Sequence, residues 1–177
     1  SFKSWSLLIL PIAASWIKGN EVRWITYGDS TVFLYKSKSH ILLSSVTELS
    51  EYNNHPYLIS TTSPLSPAGT KCGSWEIQDG DILICASDAL SHFILMLYQV
   101  SHKDVFRQSI ECAINSKSKN SNFISVMSTM TECSFENEFP KLIKASKRKD
   151  TFGKHLIFLF NNKLISHDDY SIAVCQY

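Results

Sequence analysis

The sequence predicts an α+β fold, antiparallel strands flanked by helices, and three observations predict it. Short β-rich runs separated by turns fill the first half, helical spacings fill the middle, and a β-rich run returns at the end. The sharpest junction lies in residues 79–95. Asp79-Gly80 is a turn dipeptide, the apolar run from Ile82 to Ala86 is too short for a helix, and Leu90, Phe93, Ile94 and Leu97 then recur at helical spacing. Ser87 or Asp88 is the natural N-cap, so Asp88 stands where a buried strand ends.

Residues 5–17 read as one strand bent at Pro11, followed by a Lys18-Gly19-Asn20 turn. Residues 21–26 and 30–36 are two more strands with Gly28-Asp29 between them, and three strands in close succession predict an antiparallel meander. A turn over 37–39 leads to a fourth strand at 40–46. Residues 47–74 are polar and contain Pro56, Pro64 and Pro67, which predicts an irregular connection. Residues 75–77 form a short strand into the Asp79-Gly80 turn. Helices are expected over 89–100, 104–114, 123–130 and 135–145, with a loop over 115–122 and a break forced by Pro140. Residues 155–160 fit either helix or strand, 161–162 are a turn, and 170–175 are a terminal strand preceded by His167-Asp168-Asp169.

A length of 177 residues is that of one domain, and 44% hydrophobic with 19% charged residues is a globular composition. Seventeen basic against sixteen acidic side chains, net charge +1, provide no field of one sign for nucleic acid or an anionic membrane, so neither is an expected partner. The basic run over 141–149 reads as a solvated face, and Trp5, Trp16, Trp24 and Trp75 as core or interface aromatics. Five cysteines at scattered spacings form no zinc pattern. Cys85 and Cys175 fall in apolar strands, where thiols pack as small hydrophobes, and the usage predicts a reducing, cytoplasmic compartment. Lys3 and the apolar, small-residue run over 7–15 also have the composition of a secretory signal, which would make the chain a secreted binding domain. The abrupt opening on a strand-like segment favours a core strand of a longer protein. The run is too short to span a membrane.

Three aspartates stand at strand edges: Asp29 in a tight Gly-Asp-Ser turn, Asp88 after a buried strand and Asp168 before another. Spacing alone leaves two readings open. They are independent caps and turns, or, if the edges converge, a carboxylate cluster that needs a cation to stay ionised. Oxygen-only ligands favour Mg²⁺ or Mn²⁺ over zinc. The histidines show no H-E-x-x-H spacing, and neither a Gly-rich phosphate loop nor a G-x-S-x-G elbow is present. His167 reads as a surface residue.

The segment Gly80-Asp81-Ile82-Leu83-Ile84-Cys85-Ala86-Ser87-Asp88-Ala89-Leu90 resembles the Gly-Asp-x-Leu-Leu-Leu-Ala-(Ser/Thr)-Asp-Gly-Leu stretch of the metal-dependent (type 2C) serine/threonine protein phosphatases. Gly28-Asp29-Ser30 resembles that family's Gly-Asp-Ser motif. Asp168-Asp169-Tyr170-Ser171-Ile172-Ala173-Val174 resembles its closing Asp-(Asn/Asp)-x-(Thr/Ser)-x-(Val/Ile)-x-Val strand. The three occur in the family's order, and Ala89 in place of Gly is similar to a divergent bacterial branch with Thr-Asp-Ala-Leu. The resemblance implies two stacked antiparallel sheets with helices outside and a metal cluster at one end. Asp88 and Asp168 would be ligands of Mn²⁺ or Mg²⁺, Asp29 would support an additional, weaker ion, and Asp169 is a secondary candidate. The implied reaction is hydrolysis of phosphoserine or phosphothreonine in a protein substrate by metal-activated water, without a phosphoenzyme. The family's first metal-binding Asp-Gly motif and its phosphate-binding arginine belong upstream of a strand that Ser4-Trp5-Ser6-Leu7-Leu8 matches poorly. Arg23, Arg107 and Arg148 occupy no matching position. The resemblance therefore implies a fold incomplete at its N-terminus, or a phosphatase-like module that binds a partner or phosphopeptide without catalysis.

Overall fold

The computed structural model describes residues 9–10, 12–52, 57, 59–60, 66–116, 120–130 and 133–177. Its strands are β1 (Ile9–Leu10), β2 (Ile12–Lys18), β3 (Glu21–Tyr27), β4 (Thr31–Lys36), β5 (Ile41–Ser44), β6 (Ile59–Ser60), β7 (Thr70–Glu76), β8 (Ile82–Ala86) and β9 (Ile172–Gln176). The helices are α1 (Asp88–Ser101), α2 (Lys103–Asn115), α3 (Ser121–Thr129), α4 (Phe135–Ser146) and α5 (Lys149–Asn161). Every strand pairing among the described residues is antiparallel. β2, β3 and β7 form one sheet in that order, β5, β4, β8 and β9 form a second, and β1 pairs with β6.

Alternation along the strands builds two layers of core. Val22 and Trp24 of β3 meet Val32 and Leu34 of β4 and Leu83 of β8 between the sheets. Phe33, Ile84 and Ala86 point the other way, into a larger core with Leu90, Phe93 and Leu97 of α1 and the remaining helices. The sheets thus stack, and the five helices flank the four-stranded one. β4 is buried on both faces because each of its faces meets a different layer. Leu90 through Gln99 are all buried, so α1 is covered on every side and lies at the centre of the helical layer. Gln99 is satisfied there by bonds with the Thr47 carbonyl at 2.7 Å and the Ser109 hydroxyl at 2.8 Å.

Four expectations are corrected. The first three strands are not a meander: β2 and β3 pair, but the chain then crosses to the other sheet, where β4 pairs with β5 and β8. Gly28 makes that crossing at φ +86°, a region open to glycine. Residues 70–74 are not irregular but belong to β7, paired with β3 along its whole length. Gly73 obscures that strand in the sequence, and the fold needs it, because a Cβ there would lie 2.6 Å from Cζ2 of Trp24. Trp24 in turn packs on Trp75, ring centroids 5.0 Å apart. Pro140 does not break α4; it sits just beyond the first turn, while Phe135 and Phe139 stack beside it at 4.5 Å. Cys175 is exposed on the edge strand β9, whereas Cys85 is half-buried as expected. Residues 155–160 resolve as helix within α5, and the strand expected over 5–17 is observed as two pieces, β1 paired with β6 and β2 from Ile12, with residues 5–8 and 11 outside the described ones. Among the described residues, no helix is long and apolar enough to cross a membrane.

Candidate functional site

Strand register brings the motif residues to one end of the four-stranded sheet. Thr31 pairs with Ala86 and Ala86 pairs with Ile172, so the start of β4, the end of β8 and the start of β9 lie in one row. Asp29 is two residues before that row, Asp88 two residues after it and Asp168 four residues before it. Asp29 lies in the crossing between the sheets, Asp88 opens α1, and Asp168 and Asp169 lie in the loop entering β9.

Ser87 occupies the N-cap position of α1, but its hydroxyl does not cap the helix. It donates to the Asp169 carbonyl at 3.2 Å and accepts the Ser171 N–H at 3.1 Å. The first turn is held instead by the Ser91 N–H on the Ser87 carbonyl at 2.8 Å, and the Asp88 carboxylate accepts the Ala89 N–H at 2.6 Å. A negative side chain at a helix N-terminus is favoured by the helix dipole.

Asp88 and Asp168 line two adjoining spaces. One, of about 340 Å³, is also lined by Tyr52, His92, Asn120 and His167. The other, of about 570 Å³, opens toward β2 and includes Ala13, Cys85 and Asp169. The carboxyls feel one another. Asp29 is pushed up to about 6, first by burial and then by repulsion from Asp88 and Asp168. Asp88 is raised by burial and by Asp168, against the bond from Ala89. Among the described residues none of these carboxylates forms an ion pair. Carboxylates that repel one another and have no cationic partner among the described residues are of the donor type that hard cations take. Among the described residues, no group of three or more His, Cys, Asp or Glu is close enough to hold a metal ion.

His167 is exposed, as expected, yet it borders the smaller space and meets Phe160 edge-on at 6.3 Å. The basic run at the end of α4 is solvated, with Lys141 on Glu138 and Arg148 on Asp150. Two residues at the site were not singled out from the sequence. His92 follows Asp88 at a spacing of four on one helix, a legible signal that an apolar helix disguises as core. Tyr52 comes from the long polar connection, where nothing in the sequence marks it; its hydroxyl bonds Thr31 at 2.7 Å, beside Asp29.

No family model matches the sequence, and no curated protein matches it. Solved structures do. The phosphatase domain of the cell fate determinant SpoIIE from Bacillus subtilis is 12% identical, with a TM-score of 0.42 over 94% of this chain and 57% of that one. The catalytic domain of the serine/threonine protein phosphatase PstP, in complex with two manganese ions, is 11% identical, with a TM-score of 0.41 over 93% and 56%. The photosystem II phosphatase PBCP is 13% identical, with a TM-score of 0.46 over 96% and 64%. Each of the three is a phosphatase. The chain spans less than two thirds of their length.

Proposed function

We propose that this chain is the greater part of a metal-dependent protein serine/threonine phosphatase, with Asp88 and Asp168 as ligands of Mn²⁺ or Mg²⁺ and Asp29 supporting a further ion. One observation carries the reading: Asp88 and Asp168, from distant parts of the chain, line the same two spaces beside a raised Asp29 with no basic partner among the described residues. The three motifs quoted above supply the reaction class. When bound, divalent ions acidify water and neutralise charge on phosphoryl oxygens. The chain's own residues position the carboxylates. Ser87 fixes the Asp88 end of β8 against the Asp169 loop, and the Thr31–Tyr52 bond holds the crossing that carries Asp29. Asp169, on the rim of the larger space, is the secondary ligand candidate.

The substrate in this reading is a phosphorylated protein, presented as an extended segment across the mouth of the sheets. The test is release of inorganic phosphate from a phosphothreonine peptide. Turnover that requires Mn²⁺ and is lost in Asp88→Asn and Asp168→Asn supports the assignment, and release indifferent to both substitutions contradicts it.

A second reading rests on the arginines. Arg23 is on an exposed strand face, Arg107 on α2 and Arg148 before α5, and none lines the spaces around Asp88. A phosphatase-like module that holds a phosphopeptide or protein partner without hydrolysis is consistent with that placement. It predicts peptide binding with no phosphate release at saturating Mn²⁺.

A further inference from the structure

Three large apolar side chains are exposed within one turn of α5: Ile157 at 61%, Phe158 at 52% and Phe160 at 47%. They are not a core face left bare. Phe152, Leu156 and Leu159 recur at spacings of four and three and join the helical core, Leu159 completely, so α5 is anchored and its outer side carries the other three. Lys154, three and four residues before Ile157 and Phe158, lies on that outer side and is exposed. Lys147, Arg148 and Lys149 lead into the helix and Lys163 follows it, all exposed. Residues 141–163 carry seven basic side chains against one acidic, Asp150, leaving ten basic against fifteen acidic elsewhere. The net charge of +1 therefore conceals a segment of one sign. Asp150 is held by Arg148, and among the described residues Lys144, Lys147, Lys149, Lys154 and Lys163 form no ion pair. By contrast, Ile12, Trp16 and Ile25, exposed on the outer face of the three-stranded sheet, stand among Lys18, Arg23, Glu21 and Glu76, whose charges cancel.

We propose that α5, with the basic end of α4, is a docking surface for an anionic lipid bilayer. Ile157, Phe158 and Phe160 enter the interface, and the lysines around them meet the negative headgroups. A helix with bulky apolar side chains and lysines on its outer side lies in the plane of a membrane interface, and each basic residue near an anionic surface adds to the attraction. The long lysine stem lets Lys154 cover apolar surface while its charge stays in water. With 13 residues α5 is too short to span, so the contact is peripheral. An acidic protein would also satisfy the lysines. Phe158 and Phe160, however, are two residues apart and do not face each other; a fluid interface takes both, whereas a single groove does not. The proposal uses none of the aspartates assigned to a metal. Phe160 meets the ring of His167 at 6.3 Å, so this surface reaches the rim of the space that Asp168 lines.

Cosedimentation of the full chain with vesicles tests this, comparing phosphatidylcholine alone with phosphatidylcholine mixed with phosphatidylserine. The expected result is binding to the mixed vesicles that weakens as salt is raised and is at least about tenfold weaker on the neutral ones. Phe158→Ser combined with Phe160→Ser should weaken it by about tenfold or more, and Lys147→Gln, Lys149→Gln and Lys154→Gln together by about a hundredfold. Trp16→Ser should leave it unchanged. The wild-type comparison decides even where a variant fails to fold: equal sedimentation with both vesicles, or none with either, overturns the proposal. Binding lost in Trp16→Ser and kept in the α5 variants moves the contact to the sheet and also overturns it. Retention on immobilised polyglutamate without vesicle binding assigns the surface to an acidic protein and overturns the lipid assignment.

Discussion

Ser87 and Ser171 are joined twice: the Ser171 N–H donates to Oγ of Ser87 at 3.1 Å, and the Ser87 N–H donates to the Ser171 carbonyl at 3.0 Å. With the further bond from the Ser87 hydroxyl to the Asp169 carbonyl, one serine ties the residue before Asp88 to the loop that holds Asp168. Ser87→Ala removes the hydroxyl bonds and leaves the backbone bond in place. The expected loss is about 1–2 kcal/mol in urea unfolding, with Mn²⁺ affinity weakened about threefold to tenfold because the two carboxylates are no longer held in register. An affinity equal to that of wild type would show that this clamp does not set the site.

Asp29 makes the metal-free protein sensitive to pH. Its carboxyl is pushed up to about 6, by burial and then by Asp88 and Asp168, against about 3.9 in an unfolded chain. The folded state therefore holds the proton more tightly. That contribution to stability is fully present below about pH 4 and is lost as the pH rises through about 6. Relative to Asp29→Asn, wild type should lose stability between about pH 4 and pH 7, and the variant should be the more stable one at neutral pH. Mn²⁺ should narrow the gap, since an ion that binds only the folded state stabilises it. Urea unfolding of both proteins across this range, with and without Mn²⁺, makes the comparison; parallel curves would contradict it.

The sequence exposed most of the strands and helices because their periodicities are local. Pairing is not local, and that is where the reading failed. β3 and β4 look like neighbours in a meander, and only packing shows that Gly28 and Asp29 carry the chain between sheets. β7 was hidden by Gly73, whose missing side chain makes room for Trp24, and by outward-facing polar residues. Pro140 was misread because α4 runs on past it, giving up the one backbone bond that its missing N–H would have made to the Glu136 carbonyl. Within the candidate site, Asp29, Asp88 and Asp168 were legible through their motifs. His92 was disguised by the apolar helix around it, and Tyr52 could not be seen because its place depends on a tertiary bond to Thr31.

The turn before β8 depends on one buried ion pair. Asp81, its side chain 2% exposed, accepts a bond from Nζ of Lys36 at 2.6 Å and from the N–H groups of Gln78 and Ser37. Burial alone would raise its carboxyl, yet these bonds hold it below the usual carboxylate range. Asp81→Ala leaves Lys36 and two N–H groups without their acceptor and should cost about 3–5 kcal/mol in urea unfolding. Lys36→Met should cost far less, since the N–H groups keep their bonds. The carboxylate's contribution is present at neutral pH and is lost on acidification below about pH 4, so the two variants should converge with wild type there. Equal losses in the two variants at neutral pH would show that the charge pair, rather than the backbone bonds, dominates.

Gly73→Ala places a methyl 2.6 Å from the Trp24 ring. Overpacking of this kind costs about 1–3 kcal/mol, and because Trp24 rests on Trp75 the displacement should change the near-ultraviolet circular dichroism of the pair. A variant with wild-type spectrum and stability would show that β7 does not lie against Trp24.

The central claim is that Asp88 and Asp168 bind one divalent ion together. Calorimetric titration of Mn²⁺ into wild type, Asp88→Ala and Asp168→Ala measures it most directly. The account predicts saturable heat in wild type that each single substitution abolishes; identical isotherms for all three proteins would contradict it.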